Sequence, residues 1–69
     1  MTIRPDFSKL SFRQLDIMRL LAQGLDDNDI GTRLGLSTRT IAGHKQLILA
    51  RWGLSDMADL TRIAKETFL

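Results

Sequence analysis

The chain has 69 residues, no cysteine and a single histidine. That is room for one domain with a core near the lower limit for independent folding, and it excludes disulfide or zinc–thiolate stapling. A net charge of +2 is low for a chain that binds nucleic acid, and the absence of a long apolar run or a basic-then-apolar leader makes a soluble, cytoplasmic protein without membrane association the expectation.

Residues 1–9, MTIRPDFSK, show no periodicity, and Pro5 discourages helix before it. A flexible N-terminal arm is expected there, anchored by Phe7. Residues 10–69 read as one all-α domain with helices at about 11–23, 27–34, 38–52 and 56–67. The first helix opens on a Ser11–Gln14 capping box, with Leu10 and Leu15 placed for a hydrophobic staple. Leu15, Met18, Leu21, Ala22 and Leu25 form its apolar stripe, Ile17 lies beside it, and Gly24 ends it.

Asp26 is the natural cap of the second helix, and Asp27 and Asp29 complement its dipole. The run Asp27-Asn28-Asp29 also looks like the opening of a calcium loop. Counted from Asp27, however, the sixth and twelfth places hold Thr32 and Thr38, where such a loop needs Gly and Glu. No metal site is expected.

A short turn follows. Gly35 suits the left-handed residue that ends a helix, Leu36 can pack back on that helix, and Ser37 supplies the next N-cap. Two helices joined this tightly cross steeply, which is helix-turn-helix geometry, and the second helix of such a unit commonly enters the DNA major groove. On a helical wheel Ile41, His44, Lys45, Ile48 and Trp52 face the core. The opposite side carries Arg39, Ala42, Gly43, Gln46 and Ala50, with Leu47 at its flank: a small, nearly neutral face apart from Arg39. Residues 37–51 contain Arg39, Lys45 and Arg51 and no acid, whereas the rest has seven bases against eight acids. Positive charge is therefore concentrated on the candidate recognition helix, as binding to phosphate requires. Trp52 reads as a core anchor. His44 reads as a half-buried histidine bonding to nearby backbone, and a lone histidine makes neither a catalytic nor a metal site.

Gly53-Leu54 repeats the glycine-then-leucine stop, and Ser55 is expected to cap the last helix, with Asp56 and Asp59 in its opening turns. Met57, Leu60, Ile63, Ala64 and Phe68 line its apolar side. This stripe closes the monomer core, meets a partner, or does both, with Leu60 and Ala64 inward and Met57, Ile63 or Phe68 toward the partner.

Residues 10–54 resemble the LuxR-type DNA-binding domain, also called the GerE or FixJ type. That family's pattern runs roughly L-T-x-R-E-x-E-V-L, A-x-G, E-I-A-x-x-L, L-S-x-x-T-V-K-x-H and K-L-G-V. Leu10, Arg13, Ala22, Gly24, Ile30, Leu34, Leu36, Ser37, Thr40, Ile41, His44, Gly53 and Leu54 match it. The resemblance implies a four-helix helix-turn-helix fold and a sequence-specific transcriptional regulator that binds double-stranded DNA, with helix 38–52 in the major groove. It further implies that Thr38, Arg39, Thr40 and Lys45 contact phosphates and that Ala42, Gly43 and Gln46 face base edges. Asn28 then donates to the DNA backbone, and Arg51 keeps the charge of the family's K-L. A homodimer would form through Met57, Leu60, Ile63, Ala64 and Phe68 of the last helix. Three departures stand out: Asp27 and Asp29 where the family usually carries Asn and Lys, Ala42 in place of the Lys after T-V, and Trp52 for the Leu of K-L.

Other function classes can be weighed against this one. An enzyme would need a nucleophile beside a base, a carboxylate pair in a cleft or a phosphate-cradling glycine loop, and the sequence offers none of these. No cofactor is expected. The rival is a protein-binding module on the same scaffold, pairing through residues 55–68 with another transcription regulator. The low net charge, Ala42 and the acids at 26–29 favour that rival, while the acid-free recognition helix favours DNA. Members of the resembling family usually carry a receiver or ligand-binding domain ahead of this one. The chain is thus an excised C-terminal domain or a stand-alone regulator, and its opening MTIRPDFSKL reads as the start of a whole gene product.

Overall fold

Four helices make the body of the domain: α1 (Phe12–Ala22), α2 (Asp27–Leu34), α3 (Thr38–Trp52) and α4 (Met57–Phe68). The computed structural model describes residues 6–69, and among the described residues there is no strand. Each helix begins where a side chain can take up an orphan backbone N–H. The Ser11 hydroxyl accepts from the Gln14 amide and the Gln14 side chain accepts from the Ser11 amide, both at 3.1 Å, completing the expected capping box. Asp26 accepts from the Asp29 amide at 2.8 Å, and Ser37 from the Thr40 amide at 3.0 Å. The cap of α4 differs from expectation. It is Asp56, accepting from the Ala58 amide at 2.9 Å, and not Ser55. Asp and Ser cap about equally well, and the extended backbone of Asp56 brings its carboxylate over the second helical residue.

Three helices stop in one way. A Gly-Leu pair follows, and the leucine amide donates to the carbonyl five residues back: Leu25 to Leu20, Leu36 to Gly31 and Leu54 to Leu49. This is the Schellman arrangement, in which the leucine also packs back on the helix it ends.

The packing places α1 along α4 and α2 along α3. Ile17, Met18, Ile30, Ile41, Ile48 and Leu60 are the largest fully buried side chains, so every helix contributes to one core. On α1 the centre of the stripe is shifted: Ile17, expected beside it, is fully buried, whereas Leu15 and Leu25 pack half-buried at its edge. On α4, Leu60, Ile63 and Ala64 are buried and Met57 and Phe68 are half-buried against the same core. Ile63, expected to face a partner, is 8% exposed. The apolar stripe of α4 is consumed in covering α1, which corrects the interface assigned to Leu60, Ile63 and Ala64. The outer face of α4 is polar, with Arg62 3.5 Å from Asp59 and 3.4 Å from Glu66.

Residues 7–9, expected to belong to a flexible arm, form a 3-10 turn instead; residues 1–5 lie outside the described residues. Phe7 meets Trp52 at 5.0 Å and Phe68 at 5.8 Å between ring centroids, both edge-to-face. The Trp52 indole donates to the Asp6 carbonyl at 3.3 Å, and Arg51 donates to the Lys9 carbonyl at 2.7 Å. Asp6 caps the turn, and its hydrogen bonds from the Ser8 hydroxyl and amide, with the nearby Lys9 charge, hold its carboxyl below the usual value. The turn thereby closes over the C-terminal ends of α3 and α4.

Candidate nucleic-acid interface

The α2–turn–α3 unit is held by backbone approach as much as by side chains. Gly31 is buried on α2, and a Cβ there would lie 2.5 Å from the Leu36 carbonyl oxygen. Only a residue without a side chain lets the turn lie this close. The Leu36 amide fixes the approach by donating to the Gly31 carbonyl at 2.9 Å. Gly35, at φ +70°, then turns the chain into the Ser37 cap. The starts of α2 and α3 come together, with the Thr38 hydroxyl donating to the Asn28 side-chain oxygen at 3.4 Å.

The outward side of α3 presents Arg39, Gly43, Gln46, Leu47 and Ala50, all exposed, with Thr38 and Thr40 at its N-terminal end and Ala42 half-buried at one edge. A Cβ added at Gly43 would meet nothing within 4 Å, so the middle of this face is open. Leu47, placed only at the flank by sequence, is 54% exposed and stands next to Gln46. Its spacing of four from Gly43 puts it on the same side of the helix. Arg51 is exposed at the end of the helix, where it is already engaged by the Lys9 carbonyl.

Lys45 is the clearest departure. The wheel puts it inward while the resemblance puts it on phosphate, and in the structure it is inward, 8% exposed, with its ammonium 2.7 Å from the Asp27 carboxylate. This ion pair joins α2 to α3 and engages the ammonium that the resemblance assigns to phosphate. Of the other acids at the start of α2, Asp26 is occupied in capping and Asp29 is exposed. His44 is half-buried, but its Nδ1 is buried without a hydrogen-bond partner among the described residues, so the expected bond to nearby backbone is not made there.

A broad, open depression is lined by Leu25, Asp29, Thr32 and Arg33. Among the described residues no group of three or more His, Cys, Asp or Glu could hold a metal ion, and no helix is long and apolar enough to cross a membrane.

The family model for bacterial regulatory proteins of the luxR family matches residues 8–64. The chain is 38% identical over 50 residues to the C4-dicarboxylate transport transcriptional regulatory protein DctR of Rhodobacter capsulatus, covering 72% of this chain and 25% of that protein. It is 34% identical over 62 residues to the virulence factors putative positive transcription regulator BvgA of Bordetella pertussis, covering 90% of this chain and 30% of that one. The Fimbriae Z protein of Salmonella typhimurium is 38% identical over 56 residues, covering 81% and 27%. The chain thus spans 25–30% of the length of these relatives.

Proposed function

The chain belongs to the luxR family of bacterial regulatory proteins, and from that premise we propose that it binds double-stranded DNA in a sequence-specific manner to regulate transcription, laying the outward face of α3 in the major groove. The observation that carries this reading is that face itself, open at Gly43, free of acids, and held out from the core by the tight α2–α3 turn. Arg39 fits either a phosphate or the two acceptors of guanine, and Gln46 fits the adenine edge. Ala42 and Leu47 offer apolar contacts of the kind a thymine methyl takes. Asn28 and Thr38 meet at the helix starts and Thr40 follows in the first turn of α3, where side-chain donors suit phosphates, and Arg51 adds charge at the far end. Regulation here rests on binding and involves no catalysis, in a cytoplasmic protein that joins the nucleoid when DNA-bound.

Two copies would sit side by side on inverted half-sites. Because the apolar stripe of α4 lies in the core, that pairing would use the exposed outer face of the helix around Ala58, Arg62 and Lys65. The rival reading, a module that pairs with another regulator, draws support from the acids of α2 and the near neutrality of the α3 face.

Fluorescence anisotropy of labelled duplexes at several salt concentrations separates the two. A DNA-binding regulator gives a steep negative salt dependence that reports its phosphate contacts, together with a preferred sequence. Failure to bind any duplex at low salt would overturn the DNA reading in favour of a protein partner.

A further inference from the structure

We propose that Lys45 serves DNA binding through Asp27, cancelling a carboxylate at the rim of the interface, and does not itself touch phosphate. The inference rests on the DNA reading above. Asp27 is the first residue of α2, and the next residue, Asn28, reaches Thr38 at the start of α3, so the carboxylate flanks the helix that would enter the groove. Its side chain is 29% exposed, enough for an unpaired charge to be felt by phosphate, while the Lys45 side chain is 10% exposed and its ammonium lies 2.7 Å away. For Lys45 to reach phosphate it would have to leave this pair, baring the anion at the place where DNA arrives. Held inward, the same ammonium removes the repulsion and ties the start of α2 to the middle of α3. Lys45 is thus a positioning residue. Its contribution is the neutrality of the rim.

The two roles respond differently to removal of the partner. A direct phosphate contact is lost with Lys45 whatever stands at position 27. A neutralising role becomes dispensable once the carboxylate is gone. The test measures anisotropy of a labelled mixed-sequence duplex across a salt series with the wild-type chain, Lys45→Met, and the double variant Asp27→Asn/Lys45→Met, with circular dichroism confirming helix content. Lys45→Met is expected to weaken binding about five- to tenfold, because a bare carboxylate then faces phosphate through an intermediate dielectric. The double variant is expected to return within about twofold of wild type with an unchanged salt slope, since replacing both members of a half-buried pair leaves no uncompensated charge. That property also makes the double variant the one expected to fold, and where Lys45→Met does not fold the double variant still tests the direct contact, because a lost phosphate contact would lower its salt slope by about 0.9. A double variant as weak as the single one, with its salt slope reduced by about 0.9, would identify Lys45 as a phosphate contact and overturn the proposal. Equal binding by all three chains would overturn it too. A wild-type chain that binds no duplex would remove the DNA reading, and this proposal with it.

Discussion

Arg39 carries the positive charge of the outward face of α3, and its side chain is exposed at the first turn of that helix. Replacing it with alanine is expected to cost about 1–3 kcal/mol of DNA affinity while helix content is unchanged, as a lost fork to guanine or phosphate would. Undiminished binding by Arg39→Ala would remove it from the recognition face. Leu47 makes a second expectation. If its exposed side chain meets thymine methyls, substituting uracil for thymine in a preferred site weakens the wild type and leaves Leu47→Ser indifferent; equal responses from both proteins would exclude that contact. At this scale sequence was informative wherever one residue's own chemistry decides its role, as with Ser11 and Gln14. It was divided at Lys45, where helical phase points inward and charge points outward. The conflict is resolved only by Asp27, a partner on another helix.

Among the elements, the helix starts and stops were the most legible, because caps are local and each needs only a few neighbouring residues. The one displaced cap shows the resolution of such reading: Ser55 and Asp56 are adjacent, and both are good caps. Asp56→Ala is expected to lower stability by about 1 kcal/mol in thermal unfolding while Ser55→Ala changes it little; the reverse ranking would restore Ser55 as the cap. The approach of the turn to α2 was not legible, since no pattern reports the distance between Gly31 and the Leu36 carbonyl. A β-branched side chain cannot enter that gap, so Gly31→Val is expected to destabilise the domain by about 1–3 kcal/mol and to loosen α3 in hydrogen exchange. A variant as stable as wild type would show that the turn can move aside.

For the molecule as a whole, the four-helix fold followed from periodicity, but the allocation of surfaces between core and partner did not. Apolar side chains on α4 fit either use, and only the packing of α1 along α4 commits them to the core. Leu60 is fully buried, so Leu60→Asp is expected to unfold the domain outright, because an unpaired buried charge costs several kcal/mol in a fold of marginal stability. A folded Leu60→Asp protein of reduced mass in sedimentation would instead return Leu60 to a subunit interface. The seating of Phe7 on Trp52 and Phe68 escaped sequence reading because its partners lie at the other end of the chain. Whether α3 turns its outward face to DNA is read by titrating a labelled duplex into the 15N-labelled chain and following it amide by amide in NMR spectra. The largest shifts are expected along the outward face of α3, at Arg39, Gly43, Gln46 and Leu47, and at Asn28 beside Thr38. Shifts concentrated on α4, with α3 unmoved, would contradict that orientation.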